Sequence, residues 1–250
     1  TRAVAYANGV AYWMGVGGFY RYDGSVQTLP CTLKRYIFND FNKEQYDQVF
    51  AGTNEGFSEI WWFYCPSGST TASRYVIYNY AQNIWYYGNL SRTAWIDSGI
   101  RDFPLAATYN NNVVNHEDGI DDNETGTNAG ISSFITSAQF DLDDGHRFAF
   151  IQKVYPDVTF DGYTAESPSA TLSLFAAQNS GSGRNSPASE GGTNTGSITR
   201  TATAPIEAFT SRLDLRVRGR QLALKIESSD AGVKWQLGSP RLEMRPDGRR

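Results

Sequence analysis

Two aromatic segments that echo each other constrain this chain more than any other feature of its sequence. Residues 11–14 lead across a glycine-rich turn to residues 19–24, and residues 59–64 lead across a Ser/Thr/Gly loop to residues 75–80 and 85–88. Each pattern predicts a β-meander whose large aromatic side chains can be buried only by stacking against a similar sheet, as propeller blades do. The echo therefore predicts a repeated β-architecture that serves as a scaffold.

The echo extends to single positions and to a third, weaker copy. Residues 20–22 (Tyr-Arg-Tyr) correspond to residues 78–80 (Tyr-Asn-Tyr), and residues 107–119 again contain a turn, a short strand and an acidic-glycine turn. Two and a half such units do not close a ring. We therefore expect either that the chain is part of a longer protein or that the blades pack within an oligomer.

Length and composition set outer limits. With 250 residues, 40% of them hydrophobic and 14% aromatic, the chain can form one large or two modest domains. It begins with Thr1 and has no apolar leader, which suggests a processed or truncated N-terminus. We expect a soluble protein without a membrane segment, because no stretch approaches the roughly 18 apolar residues that a membrane helix needs.

The rest of the chain predicts one short helix and a second β-domain. The helix is expected over residues 38–50, capped by Asp40 or Asn42 and followed by Gly52. Alternating strands are expected over four later segments, which are residues 137–142, 170–175, 212–218 and 221–227.

The last two of these strands predict a hairpin with one dry face and one wet face, with Gly219 at the turn. Such hairpins build β-sandwiches. The predicted fold class is thus all-β: partial β-propeller-like blades over residues 1–128, one short helix, and a β-sandwich platform over residues 129–250. Within the sandwich, the Gly/Ser/Asn-rich residues 176–199 are expected to form a long exposed loop.

Charge divides unevenly along the chain. Residues 211–250 hold ten Lys/Arg and five Asp/Glu, a net charge of +5, and the remaining 210 residues hold twelve and twenty-one, a net charge of −9. From Asp97 to Asp144 there are ten acidic residues and one basic residue, Arg101. The acidic stretch could form a metal site or a surface that repels nucleic acid, but solvated loops are the favoured interpretation.

Two acidic motifs come closest to a metal site. Residues 116–122 combine His116 with four carboxylates in a spacing that matches no zinc motif, so Ca²⁺ or a solvated turn are the alternatives. Residues 141–146 resemble the start of an EF-hand loop, but the twelfth position is Gln152 rather than Glu. A turn in which Gly145 has positive φ explains this motif better.

The remaining candidates do not identify an active site. Cys31 and Cys65 could form one bridge, but small, half-buried hydrophobic side chains are the favoured interpretation. Trp61 and Trp62, like residues 85–87, could stack sugars or bases, although packing is favoured because neighbours on a strand point to opposite faces. No nucleophile elbow, P-loop or dinucleotide turn is present. We therefore assign no catalytic, cofactor-binding or metal-binding residue, expect no cofactor and do not expect an enzyme.

Several runs of residues together resemble the tail nozzle or hub proteins of short-tailed (podovirus) bacteriophages, a group that includes packaged-DNA stabilisation proteins. The central runs are residues 61–64, 74–80, 85–88, 92–95 and 116–122. The carboxy-terminal runs are residues 218–221, 235–238 and 245–250. The likeness spans the chain from about Trp13 to Arg250.

The resemblance implies a virion structural protein, made in the host cytoplasm, that assembles into a homo-oligomeric and typically hexameric ring. Such a ring lies beneath the portal and adaptor proteins, continues the DNA channel, retains the packaged genome until ejection and docks tail fibres or spikes. Contact with genomic double-stranded DNA is expected to be transient, because every Lys/Arg to phosphate contact strengthens the grip on DNA. The basic tail, Arg241, Arg245, Arg249 and Arg250, is then expected to pair with acidic loops of a neighbouring subunit.

Two alternative functions remain open. One is a carbohydrate-binding or glycan-cleaving β-protein that uses the aromatic residues and the acidic loops. The other is a sequence-nonspecific DNA-binding protein that uses the arginines of the predicted hairpin, Arg212, Arg216, Arg218 and Arg220.

Overall fold

The computed structural model describes residues 2–178 and 198–248, and these residues confirm the all-β prediction. They divide into two compact units, one ending at Asp118 and the other beginning at Gly119. The sequence placed this boundary after residue 128. Each unit has its own hydrophobic core.

The first unit contains two four-stranded antiparallel meanders, here called sheet 1 and sheet 2, in which strand order follows chain order. Sheet 1 consists of β1 (Val4–Ala7), β2 (Val10–Met14), β3 (Phe19–Tyr22) and β4 (Val26–Leu29). Sheet 2 consists of β5 (Phe50–Asn54), β6 (Glu59–Tyr64), β7 (Arg74–Asn79) and β8 (Ile84–Asn89). The two aromatic segments that echo each other are therefore equivalent meanders.

A third antiparallel sheet, sheet 3, follows in the same unit. It consists of β9 (Ala94–Ile96), β10 (Leu105–Ala107) and β11 (Val113–Asn115), with β10 in the centre. The strand and turn expected in residues 107–119 are present: β11 is followed by a turn in which Gly119 has φ +92°. Glycine adopts this left-handed conformation without the steric penalty that a Cβ atom brings.

Sheet 2 lies between sheets 1 and 3 and is covered on both faces. Its Trp62 packs against Phe19 of sheet 1, with ring centroids 5.0 Å apart. On the opposite face its Trp61 stacks on Trp95 of sheet 3, with centroids 5.0 Å apart and ring planes within 17°. Since successive side chains on a strand point to opposite faces, adjacent tryptophans reach both neighbouring sheets. The predicted burial of aromatic residues between similar sheets is confirmed.

The prediction of one helix over residues 38–50 is wrong in its extent. The chain forms helix α1 (Lys34–Asn39) and a separate 3-10 helix (Lys43–Gln48). Between them Phe41 forms a bridge with Pro66, which holds the backbone extended. Asn42 does cap the second helix, because its side chain accepts a hydrogen bond from the Glu44 amide, but Gly52 lies within β5. The six-residue helices of the described chain are too short to cross a bilayer.

The second unit is a β-sandwich. Sheet 4 contains β14 (Ser133–Thr136), β15 (Phe140–Asp141), β18 (Ser169–Ala177), β19 (Ile198–Glu207) and β21 (Gln221–Ser228). Sheet 5 contains β16 (Ala149–Tyr155), β20 (Leu213–Gly219) and β23 (Arg241–Pro246). Two short pairs complete the unit, β12 (Asp121–Asp122) with β13 (Ala129–Gly130) and β17 (Val158–Phe160) with β22 (Trp235–Leu237).

Aliphatic side chains from sheets 4 and 5 meet in one core. Leu172 and Ile226 of sheet 4 and Ile151 of sheet 5 are fully buried there. The predicted strand 137–142 is replaced by β14 and the two-residue β15. Of the predicted loop, residues 176 and 177 belong to β18 and Ile198 begins β19, whereas residues 179–197 lie outside the described residues.

The predicted hairpin between residues 212–218 and 221–227 is wrong. Strand β20 pairs with β16 in sheet 5, and β21 pairs with β14, β15 and β18 in sheet 4. A two-residue hairpin of type I′ needs positive φ at its turn, and neither Gly219 nor Arg220 has it. The chain instead crosses from one sheet to the other, so the dry faces of both strands meet in the same core.

The structure also answers the predictions for the two cysteines and for residues 141–146. Both cysteines are free thiols, Cys31 half-buried and Cys65 buried, so the alternative of a bridge is wrong. Residues 141–146 form β15 and a 3-10 turn in which Gly145 has φ +73°, as predicted.

Candidate functional site

The outer face of sheet 1, on the side away from sheet 2, is apolar and aromatic. The cross-strand registers place Val4, Tyr6, Trp13, Tyr20, Tyr22 and Val26 together on this face. Tyr6 and Val26 are each 67% exposed, and Trp13 stacks on Tyr20 with ring centroids 5.5 Å apart. A contiguous uncharged aromatic face of this kind is typical of an interaction site.

The similarity between the two meanders identifies the face of sheet 2 that corresponds to this outer face of sheet 1. Tyr78 and Tyr80 of the second segment face sheet 1, where Tyr12 lies 6.0 Å and 6.2 Å from their ring centroids. The equivalent residues of the first segment are Tyr20 and Tyr22, and Tyr22 is 49% exposed. The same aromatic surface is thus covered on sheet 2 and uncovered on sheet 1.

The opposite end of the stack is also apolar. In sheet 3, Trp95 and Ala106 point toward sheet 2, so their neighbours along the strands lie on the outer face. That outer face consists of Ala94, Ile96, Leu105, Ala107, Val113 and Asn115. Ile96 is 51% exposed and Val113 72% exposed. No strand residue of either end face is charged, and Asn115 of the sheet 3 face donates a hydrogen bond to the Asp118 carboxylate over 3.2 Å.

The acidic group of residues 116–122 spans the boundary between the two units. His116 and Asp118 end the first unit, whereas Asp121 and Asp122 form β12 at the start of the second. Asp121 accepts a hydrogen bond from the Gly232 amide, and Asp122 accepts one from the Glu124 amide. In residues 2–178 and 198–248, no three His, Cys, Asp or Glu side chains are grouped so that they could hold a metal ion.

His116 is held inside the first unit by its neighbours. The Arg92 guanidinium donates a hydrogen bond from Nε to His116 Nε2 over 3.0 Å, and the His116 ring lies 4.7 Å from that of Trp95. Arg92 is itself 5% exposed. Because Nε2 accepts this hydrogen bond, its lone pair is directed at an arginine.

Sequence reasoning missed a pair of carboxylates, Glu59 and Glu117. Glu59 accepts a hydrogen bond from Trp61 Nε1 over 3.0 Å, and Glu117 accepts one from the amide of the buried Asn54 over 3.3 Å. Burial raises the pKa of Glu59, and the carboxylate of Glu117 raises it further. Burial of its carboxyl group also raises the pKa of Glu117, although that residue as a whole remains exposed.

The backbone at Glu117 is unusual. Its φ of +60° lies in the left-handed region, which costs a side chain other than glycine about 1–3 kcal/mol. This conformation accompanies the placement of the carboxylate against Asn54. No sequence motif joins Glu59 to Glu117, which lie 58 positions apart, so only the stacking of sheets 2 and 3 could have revealed the pair.

The arginines of the predicted hairpin are largely engaged within the second unit. Arg212 pairs with Asp214 over 3.1 Å, and Arg220 donates to the carbonyls of Gly145 and His146. Arg218 pairs with Asp247 over 2.6 Å and also lies over the Phe148 ring, 3.8 Å from its centroid. Arg216 and Arg218 do share the outer face of β20, as alternation predicts, whereas Arg212 precedes the strand.

The described part of the basic tail belongs to the sandwich. Residues 241–246 form β23 at the edge of sheet 5. Arg241 lies over the Tyr155 ring and Arg245 over the Phe150 ring, 5.6 and 4.9 Å from their centroids. Arg249 and Arg250 lie outside the described residues.

Comparison with known proteins adds no family to these observations. No model of a known protein family matches the chain, and no curated protein is significantly similar to it.

The two end faces are therefore the most developed candidate for a functional site. The tryptophans considered as sugar or base platforms are internal, since Trp61 is 7% exposed and Trp62 is fully buried. Uncovered, uncharged aromatic and aliphatic sheet faces bind other protein surfaces by burying apolar area. The arrangement supports protein association.

Proposed function

We propose that this chain is a structural subunit of the tail nozzle or hub of a short-tailed bacteriophage. It acts without catalysis, in a homo-oligomeric ring that continues the DNA channel and retains the packaged genome until ejection. The observation that carries this proposal is a stack of blade-like sheets with uncovered apolar ends, followed along the chain by a β-sandwich. The resemblance of the sequence to such tail proteins implies the same combination of parts.

The charge distribution supports a conduit for DNA. The chain has a net charge of −4, and several cations of the second unit are paired with nearby carboxylates, such as Lys153 with Glu243 over 3.0 Å and Lys225 with Glu227 over 2.7 Å. A paired cation releases fewer counterions when it meets a phosphate, so DNA binding is weak and transient. The proposed partners are portal and adaptor proteins on one side and tail fibres or spikes on the other, in the virion.

Native mass spectrometry over roughly a hundredfold range of protein concentration tests this proposal. The expected species has six times the 27.7 kDa mass of the chain, and electron microscopy of that species should show a closed ring with an axial opening. Binding to double-stranded DNA should be weak near about 50 mM salt and lost by about 200 mM. A compact monomer at all concentrations, or tight DNA binding at the higher salt, would contradict the proposal.

A second candidate is a glycan-cleaving β-protein, favoured by Glu59 and Glu117. Glycoside hydrolysis uses two carboxyl groups, one of which acts as an acid with a raised pKa, and burial raises the pKa of both Glu59 and Glu117. Incubation with polysaccharides from bacterial surfaces, followed by a reducing-sugar assay, tests this candidate. Activity that is lost in Glu59→Gln and kept in Glu44→Gln, an exposed control, would favour the enzyme over the ring.

A further inference from the structure

We infer that copies of this chain associate head to tail, with the outer face of sheet 3 of one copy on the outer face of sheet 1 of the next. The inference rests on the proposed function, because it identifies the contact from which the ring is built. Both contacting faces belong to the first unit.

The molecule already contains two interfaces of the proposed kind. Sheet 1 covers one face of sheet 2, and sheet 3 covers the other, each with aromatic rings in the contact. A third interface between sheet 3 and sheet 1 of another copy continues the same stack. In this third interface the aromatic rings come from sheet 1 alone.

The sheet 1 end of the stack matches a surface that is known to be covered. Tyr20 and Tyr22 on its outer face are the equivalents of Tyr78 and Tyr80, which pack on Tyr12 of sheet 1 in a core that also contains Ala5 and Ala7. The aromatic face of sheet 2 is therefore covered by a sheet that offers a mixture of aromatic and small side chains.

The sheet 3 end offers small and aliphatic side chains. Ala94 and Ala107 are small, and Ile96, Leu105 and Val113 are aliphatic. No strand residue of either end face is charged, in a chain that has 48 charged residues among 250. The Asp118 carboxylate, which accepts from Asn115 over 3.2 Å, is the charge that this contact has to leave in solvent. The aromatic face of sheet 1 and the mainly aliphatic face of sheet 3 are both apolar, so their contact would bury apolar area on each side.

The association must be heterologous because the two faces differ. Each copy uses one face toward the preceding copy and the other face toward the next. Such contacts build a closed ring when the rotation per subunit divides a full turn, and an open filament when it does not.

Two double variants test the contact. Tyr6→Arg with Val26→Arg blocks the sheet 1 face, and Ile96→Arg with Val113→Arg blocks the sheet 3 face. All four positions are more than half exposed, so the variants should fold, which far-ultraviolet circular dichroism checks. Ile100→Arg with Phe209→Arg is the matched control, because both side chains are exposed and lie outside the end faces.

The expected result by native mass spectrometry is that each face variant alone is monomeric, with a dissociation constant raised at least about tenfold relative to wild type. An equimolar mixture of the two should form one-to-one dimers, since each variant keeps the face that the other has lost. Both variants carry the same added charges, so the dimer cannot arise from charge attraction. The control should assemble like wild type. If the arginine variants do not fold, glutamine at the same positions gives a milder test with the same pattern.

Several outcomes would overturn the inference: a monomeric wild type, unchanged assembly of either face variant, or a mixture that stays monomeric. Dimers of the sheet 3 variant alone would indicate a symmetric contact between sheet 1 faces and would also overturn it. The ring is tested separately. Open filaments with the expected variant pattern would support the contact between sheets 3 and 1 and contradict the ring. Intact rings in both variants would support the ring and contradict that contact.

Discussion

The two units bury their side chains in different ways. The stack of sheets 1 to 3 is packed by aromatic rings, among them Trp61, Trp62 and Phe63 on one strand, whereas the sandwich is packed by aliphatic residues such as Leu172 and Ile151. Aromatic rings bury more area per residue and pack in tilted or stacked pairs, so they can fill both faces of a central sheet. Aliphatic side chains fill the single layer between two sheets.

The outer faces differ in the same way. Sheet 5 turns charged side chains outward, including Asp214, Arg216 and Glu243 along its edge strands. The end faces of the stack carry none. A sandwich is complete because its two dry faces cover each other, whereas a linear stack of two-faced sheets always has two faces left over. The sandwich thus covers its own apolar faces, whereas the stack leaves two apolar faces exposed.

The largest effect is expected from Trp62→Ala. Trp62 is fully buried, contacts Phe19 and Trp85, and donates from Nε1 to the Ala3 carbonyl over 3.1 Å. Its loss should lower the free energy of unfolding by about 3–5 kcal/mol, because the cavity between two sheets cannot collapse. Urea denaturation followed by circular dichroism measures the change.

The sandwich offers the comparison for that variant. Leu172→Ala, also at a fully buried position, should cost about 2–5 kcal/mol, with a smaller cavity left behind. A Leu172→Ala loss clearly larger than that of Trp62→Ala would break the proposed difference between the two cores.

Gly52→Ala should have the next largest effect. A Cβ atom at Gly52 would lie 2.2 Å from Cδ1 of Trp95, whose indole also donates to the Thr53 carbonyl. The Trp95 indole would have to move away from sheet 2, which should lower the free energy of unfolding by about 1–3 kcal/mol. Gly17→Ala is the matched control, because a Cβ there meets no atom within 4 Å. Equal stability of the two variants would mean that the contact between sheets 2 and 3 is loose.

Part of this architecture could be predicted from the sequence. The meanders were predictable because aromatic residues occupied both faces of segments that repeat, and period-two alternation identifies faces reliably. Alternation does not identify the neighbouring strand. That is why Leu215 and Leu224 were correctly assigned to a dry face and wrongly assigned to one hairpin.

The remaining errors have similar physical causes. The helix expected over residues 38–50 is interrupted because Phe41 pairs with Pro66, a contact between positions 25 apart that local propensity cannot show. Glu59 and Glu117 come together only after sheets 2 and 3 stack. The uncovered face of sheet 1 was the part most open to prediction, since two and a half units already implied exposed ends.

Arg218→Lys should have a smaller effect, confined to the sandwich. The guanidinium donates from Nε to Asp247 Oδ2 and from Nη2 to the Asp247 carbonyl, and it lies over Phe148. Lysine has no planar guanidinium that can donate to both oxygens at once, so the free energy of unfolding should fall by about 1 kcal/mol. The effect is small because the ion pair is partly exposed to solvent. Arg216→Lys on the same face is the control and should be neutral. Thermal denaturation that shows equal losses for both would indicate that the Asp247 contact contributes nothing.

The smallest effect concerns pH and the first unit alone. The folded pKa of Glu59 is raised, mainly by burial, above the ordinary value of about 4.3 for Glu in the unfolded chain. The folded state therefore binds more protons than the unfolded state between these two pKa values. This contribution to stability is fully present below the unfolded pKa and is lost as pH rises through the folded pKa.

Glu59→Gln removes that dependence while keeping an oxygen that can accept from Trp61 Nε1. Relative to wild type, the variant should gain stability as pH is raised from about 4 to about 8, as measured by urea denaturation at each pH. Glu117→Gln should show the same trend more weakly, because solvent reaches that residue, and exposed Glu44→Gln should run parallel to wild type. A wild-type curve parallel to that of Glu59→Gln would show that the carboxylate is solvated, and that sheets 2 and 3 pack less closely there than Trp61 and Trp95 indicate.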